Sequence, residues 1–406
     1  MKVWNIRGYL YEIFIAKHLQ DNGFEECQKN KITKGCEVNN SGEIEGRGEF
    51  HQIDFAGVYT KLTPYIYPLR VLAECKYYKT PIDKKIVRQY IGVVKDITEN
   101  YYVPDTIKKS NTVSIFDKSS PRFTDIPMIF SANGFDTHAE NLAWAQGINV
   151  ISHRNIPIFD EILSIIDELA ILIKNFCERH PVCKETECLK LIKYAINSID
   201  ISNISNWMEF RHALHHNLLE NQDLDTLHNI YHHCHFTPIC EKIFDLSQKI
   251  KEINTFIVAT TDNGIIVNLV SNEIFPIELF QINVDLENSE DYNPNKAYAG
   301  VYFDTLDNQQ RDNVFYFKFN SDSERRKFYF QPNRQMLSDQ FAELTEQERI
   351  EMKKDFVGRV TFLYEIDKVN RVLEIEVKFP SETVKEIKST IERSDISQGL
   401  DRDHTN

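Results

Sequence analysis

The chain is 406 residues long, 42% hydrophobic and 27% charged, with a formal net charge of −14. That balance describes a soluble globular protein with material for two or three domains, and its sign argues against a surface broadly coated with cations for nucleic acid. No apolar run approaches the ~18 residues of a membrane helix, and MKVWNIRGYLYEIF lacks the layout of a signal peptide.

Eight cysteines stand apart with no C-x-x-C pair, the usage expected of reduced thiols in a cytoplasmic protein. Charge is uneven along the chain. Residues 1–155 carry 20 Lys and Arg against 18 Asp and Glu, a surplus of two positive charges, so the remainder carries −16.

The first periodic segment predicts a helix over residues 5–20, stopped by Asp21-Asn22-Gly23. Within it Glu12 has Gly8 and Ala16 one turn away on either side, with Ile15 and Leu19 near. A carboxylate in so small and apolar a stripe is either paired, with Arg7 a candidate partner, or functional. Short strands and turns follow to GEIEGRG, where Gly46 and Gly48 flank Arg47. They either shape a turn or let the backbone approach a phosphate.

HQIDFAGVY then reads as a polar run entering a strand, and RVLAECKYY as a second, more apolar strand. Period-2 alternation puts Gln52 and Asp54 on one face, and likewise Glu74 and Lys76, with Ala73, Cys75 and Tyr77 opposite. If the strands are neighbours, two carboxylates and an ammonium meet at one cleft. Such a set suits a hard divalent cation, for which Asp54 and Glu74 supply oxygens and the Cys75 backbone carbonyl a third. Lys76 would hold the attacking water or offset charge developing on a phosphoryl group. The bland alternative, an ion pair on an edge strand, conflicts with the apolar character of the surrounding strand.

The pattern D-x19-E-x-K resembles the PD-(D/E)xK nuclease superfamily. GRGEFHQIDFAG with LAECKYYKTPI resembles its Mrr-like restriction endonuclease branch, and the likeness extends from IRGYLYEIFIAKHL to MIFSANGF and AWAQGINVI, about the first 155 residues. The resemblance implies a restriction-endonuclease-like α/β fold, a mixed sheet flanked by helices. It also implies catalytic Glu12, Asp54, Glu74 and Lys76, a Mg²⁺ or Mn²⁺ cofactor on Asp54, Glu74 and Cys75, and a DNA substrate. Restriction or antiphage defence follows from the same source, with the helical and β-rich regions expected to sense, dimerise or recruit a defence-system partner protein; double-strand cleavage needs two active sites, hence an expected homodimer.

Thr80-Pro81-Ile82-Asp83 predicts a helix start of the capping-box kind, with Pro81 at the first helical position. Ile86, Val87, Tyr90, Ile91 and Val94 form its buried stripe. Lys76, Lys79, Lys84, Lys85, Arg88 and Lys95 make a basic patch opposed by one acid, Asp83. It is either a solvated helix face or a phosphate-binding surface, with Arg47, Gln52, Lys84, Arg88 and Gln89 as candidate DNA contacts. Residues 101–123 read as a polar loop or lid, and IPMIFSA, FDTHAENLAWAQG and INVIS as strand, helix and strand.

Residues 159–253 turn helical. Seven of thirteen histidines fall between His212 and His235. His212 with His216 and His228 with His232 have the i,i+4 spacing of paired ligands, but no zinc module matches, and helix-packing or solvated histidines are the expectation. From residue 254 strands take over: TFIVATTD, an Asn263-Gly264 hairpin, IIVNLVS, AYAGVYFD, NVFYFKF, KFYFQ, GRVTFLYEID and RVLEIEVKF, interrupted by a predicted helix at 337–356. Their aromatic residues are either core or a stacking platform for bases. The expected domains are thus 1–158 (nuclease-like), 159–253 (helical), 254–390 (β-rich α+β) and a flexible tail at 391–406.

No G-x-x-x-x-G-K-[ST], H-E-x-x-H or G-x-S-x-G is present. The activity expected is metal-dependent hydrolysis of DNA. The alternatives are a nuclease for RNA or single strands, or a binding or scaffolding subunit whose nuclease fold is idle.

Overall fold

The computed structural model describes residues 1–27, 38–60, 67–99, 123–220, 230–231, 234–262, 264, 266–281, 295–304, 314–331, 358–366 and 369–378. The expected lid over most of 101–123, His228, His232, Asn263, the helix at 337–356 and the tail lie outside these. The chain divides into two compact units, Met1–Glu252 and Ile253–Asn406.

The first unit opens with α1 (Val3–Asp21), which ends at Gly23 in the left-handed region, φ +88°, where a side chain would be strained. A five-stranded sheet follows in the order β1 (Phe24–Glu26), β4 (Phe55–Tyr59), β5 (Leu69–Lys76), β6 (Thr124–Ser131), β7 (Asn149–Ser152). The small ladder β2 (Ile44–Glu45) and β3 (Phe50–His51) stands apart from it. β1, β4 and β5 pair antiparallel, whereas β5, β6 and β7 run parallel. The parallel half needs crossovers, and α2 (Lys84–Thr98) and α3 (Thr137–Ala145) lie in them.

β5 is buried on both faces, with Val71, Leu72 and Ala73 fully covered. This explains why its sequence reads as a continuous apolar run. Val87, Tyr90 and Val94 of α2 pack with Ile129 of β6 and Ala139 and Ala143 of α3 on one side of the sheet. On the other side Phe14 and His18 of α1 meet His153 and Phe159. Buried His153 stacks on Phe159 at 3.9 Å and shares a 3.1 Å hydrogen bond with the Tyr11 hydroxyl. It is a core residue.

The start of α2 differs from the expectation. Asp83 is the N-cap, accepting from the Lys85 and Ile86 amides at 2.9 and 3.2 Å, so Pro81 lies before the helix rather than in its first turn. Ile82 is held extended by a bridge to Phe135, its amide donating to the Gly134 carbonyl.

The helical segment comprises α4 (Pro157–Arg179), α5 (Glu185–Ser198), α6 (Trp207–Glu220) and α7 (Thr237–Glu252). α4 packs on both α1 and α7. His216 of α6 is exposed and faces Glu220 at 3.5 Å, while His215 stacks on Tyr231, one solvated and one packing histidine. The expectation of reduced thiols fails at Cys27, which is disulfide-bonded. Cys75, Cys177, Cys183, Cys188 and Cys240 are free. No helix among the described residues is long and apolar enough to cross a membrane.

In the second unit all seven expected strands form: β8 (Thr255–Thr261), β9 (Ile266–Ser271), β10 (Lys296–Asp304), β11 (Val314–Phe319), β12 (Phe328–Phe330), β13 (Arg359–Ile366) and β14 (Val369–Lys378). They close into a barrel in the order β10-β11-β12-β9-β8-β13-β14, the seam being a parallel pairing of β10 with β14. Closure removes the open edges that aromatic strands would otherwise expose. Phe317, Phe328, Leu373 and Ile375 fill the interior with the single-turn helix α8 (Glu278–Gln281) supplying Phe280.

Candidate active site

β4 and β5 are adjacent, and the register Phe55↔Ala73 sets Asp54 across from Glu74. Asp54 stands in the bend just before β4, and its Oδ2 accepts the Cys75 backbone amide at 2.7 Å. Lys76 Nζ stands 3.5 Å from the same oxygen, donates to the Cys75 carbonyl at 3.2 Å and pairs closely with Glu74 Oε1. Three oxygens from two strands thus face one ammonium. Asp54, Glu74 and Lys76 keep 15, 22 and 18% of their side chains exposed, enough to reach solvent from an otherwise closed sheet end.

Glu12 reaches this cluster from α1. Burial, then the negative charge of Asp54, pushes its carboxyl up to about 7, while Lys76 pulls it down. Glu74 is raised for the same reasons, burial first and Asp54 second. Lys76 is depressed by burial, but Asp54 and Glu74 more than reverse this and hold it above the ordinary lysine value. The Arg7 guanidinium, a candidate partner for Glu12, instead pairs with Asp167 of α4 at 2.8 Å.

The Cys75 thiol is buried on the face toward α1, and burial followed by Asp54 raises it well above a normal thiol. Its thiol is therefore neutral, and only its main chain belongs to the site. The donor set is all oxygen, as Mg²⁺ or Mn²⁺ requires, and its convergence on the Lys76 ammonium shows that it already accommodates a cation. For a divalent ion to take the place, the ammonium must swing aside. Among the described residues, no three His, Cys, Asp or Glu side chains are gathered as a ready-made metal centre.

The candidate nucleic-acid contacts are distributed differently. Lys84, Arg88 and Gln89 are exposed on α2, and Gln52 is exposed beside β3. Arg47 is exposed, with its guanidinium 3.3 Å from Glu99. The G-R-G turn around it cradles an anion, but an internal one. The Asp96 carboxylate accepts the Gly48 amide at 3.0 Å, the Glu49 amide at 3.3 Å and His51 Nε2 at 2.7 Å. A Cβ on Gly46 would collide with that carboxylate. Both glycines therefore shape the turn around Asp96.

Sequence reasoning missed the support behind the strand. Tyr77, next to Lys76, donates to Asp167 at 2.8 Å and lies edge-on to Tyr11. Arg7, Asp167 and Tyr77 thus join α1, α4 and the end of β5. No local pattern announces this, because the partners are separated by up to 160 positions.

No protein-family model matches the chain, and no curated protein matches it. A solved structure titled "Crystal Structure of Protein of Unknown Function AF1548" is similar over 60% of this chain and 97% of its own, at 14% identity and a TM-score of 0.26. A likeness at that level carries no argument about fold or function.

Proposed function

We propose that the first unit is a metal-dependent endonuclease domain of the PD-(D/E)xK, Mrr-like kind. One observation carries the reading: the Asp54 and Glu74 carboxylates and the Cys75 carbonyl converge on the Lys76 ammonium at the end of two adjacent strands. Supporting it are the antiparallel-then-parallel sheet and the half-buried Glu12 that α1 brings to the same cluster.

Bound Mg²⁺ or Mn²⁺ would polarise a phosphoryl oxygen and lower the pKa of a water molecule there. The Asp54 and Glu74 oxygens and the Cys75 carbonyl would hold the ion. Lys76, kept cationic by its neighbours, donates hydrogen bonds to the scissile phosphate and offsets its growing charge. Glu12 orients the attacking water and takes up a proton. DNA is the proposed substrate, with the exposed cations of α2 along its backbone. Cutting both strands calls for two such sites, hence a homodimer. Cytoplasmic restriction or antiphage defence with a partner protein is the proposed setting.

The second reading is a nucleic-acid-binding unit that does not cleave, favoured by the ammonium among the oxygens. Supercoiled plasmid incubated with Mg²⁺ or Mn²⁺ separates the two. Nicking that EDTA and Lys76→Ala both abolish supports the enzyme, and no nicking by folded protein on duplex, single-stranded DNA or RNA supports the binder.

A further inference from the structure

α4 and α5 are joined by a short connection, and each carries a cysteine beside it. Cys177 lies in the last turn of α4. Cys188 closes the first turn of α5, its amide donating to the Lys184 carbonyl at 3.1 Å. Both are buried, and their sulfurs meet at 3.8 Å. The backbone on either side is fixed. Phe176, next to Cys177, packs edge-on against Phe236 at 5.6 Å. Glu187, next to Cys188, accepts the Lys184 amide at 3.2 Å, and the Cys183 amide donates to the His180 carbonyl at 2.8 Å. The connection itself faces solvent, with Val182 91% exposed, and a short exposed turn opens locally at low cost.

The described free thiols differ in character. Burial pushes the Cys240 thiol up to about 12 and also raises those of Cys75 and Cys183. Each of these stays protonated, the state in which a thiol is inert. Cys177 is the exception among them. A hydrogen bond from Cys188 lowers it, against the effect of burial, and nearby Lys174 adds to the lowering. Cys188, the donor, is raised by the same bond and then by burial. Cys177 is thus the better nucleophile of the two, and Cys188 holds the proton.

We infer that Cys177 and Cys188 are a redox-active pair, which hydrogen peroxide closes into a disulfide joining α4 to α5. The sulfurs need to approach by only about 1.8 Å to reach disulfide bonding distance. The Cys177 thiolate attacks one peroxide oxygen, the O–O bond breaks, and a sulfenic acid forms on Cys177. The departing hydroxide regains the proton that Cys177 had given up and leaves as water. The Cys188 sulfur then attacks the Cys177 sulfur and the S–O bond breaks. The hydroxyl leaves with the Cys188 proton as a second water. Two thiols lose two electrons and the peroxide gains them. The new bond staples residues eleven positions apart, and a dithiol reductant reopens it. The inference concerns the helical segment and stands apart from the nuclease reading.

The test is peptide mapping of the full chain after reduction, removal of the reductant, treatment with hydrogen peroxide and blocking with iodoacetamide. Trypsin cuts after Lys174, Arg179, Lys184 and Lys190, which puts Cys177, Cys183 and Cys188 on three separate peptides. Mass spectrometry therefore reads which two have joined, and tells them apart from any linkage of Cys27. The expected result is peptide 175–179 linked to peptide 185–190 in most molecules, undone by dithiothreitol and still formed in Cys183→Ser. In Cys188→Ser the link should vanish and dimedone should trap a sulfenic acid on Cys177. Peroxide that oxidises methionine or Cys183 while leaving Cys177 and Cys188 as thiols overturns the inference. So does a link from Cys183 in place of the pair. The wild-type map decides this even where a serine variant fails to fold.

Discussion

Asp54 Oδ2 accepts the Cys75 backbone amide at 2.7 Å. The bond fixes the carboxylate that precedes β4 to the main chain of β5, one residue from each of Glu74 and Lys76. The site is thereby tied to backbone rather than to a loop, the arrangement that keeps reacting groups in place.

Removal of Lys76 should destabilise the metal-free protein, because the ammonium offsets Asp54, Glu74 and Glu12 at once. For a partly exposed cluster the loss is about 1–3 kcal/mol, below the 3–5 kcal/mol of a fully buried pair. Urea unfolding of Lys76→Ala in EDTA measures it. Added Mg²⁺ should restore part of the stability by binding the freed oxygens, and no response to Mg²⁺ would speak against a cation site.

Glu12 makes the site pH-sensitive. Its folded carboxyl titrates near 7 rather than 4.5, so the folded state holds the extra proton between these values. That contribution to stability is complete below about pH 4.5 and is lost as pH rises through 7. Divalent ions favour the ionised form, so their affinity should rise about tenfold per unit below pH 7 and level off above it. Isothermal titration calorimetry between pH 6 and 8 checks this. In Glu12→Gln the dependence should flatten.

The two glycines beside Arg47 should respond unequally to alanine. At Gly46 the new Cβ meets the Asp96 carboxylate and stands 2.8 Å from the Glu49 carbonyl, whereas at Gly48 the nearest atom is Asp96 Oδ1 at 3.3 Å. Gly46→Ala should therefore cost about 1–3 kcal/mol and Gly48→Ala clearly less, by chemical denaturation.

Tyr77→Phe removes the donor to Asp167 and to the Leu163 carbonyl but keeps the ring against Tyr11. A loss of about 0.5–1.5 kcal/mol is expected, with the Arg7–Asp167 pair retained. If the tyrosine positions Lys76, cleavage should fall more than stability does, at unchanged metal affinity. Equal small losses in both would leave it a packing residue.

Much of this was legible because it is local. Alternation in FAGVY and RVLAECK, the apolar stripe of α2 and the seven barrel strands each read their own burial within a few residues. The Asp54–Glu74–Lys76 set was legible too, since period-2 side chains on two strands leave few ways for them to meet. The Asp96 carboxylate inside the G-R-G turn, the Arg7–Asp167–Tyr77 brace and the parallel β10–β14 seam were not. Each joins residues dozens or more positions apart, and an acidic or aromatic residue has the same local pattern whether its partner is water, a ligand or a distant side chain. The sequence by itself determined which faces are apolar and where carboxylates gather. Only the tertiary structure decided which charges are already answered within the chain, because that depends on distances of 3–4 Å set by packing from both sides.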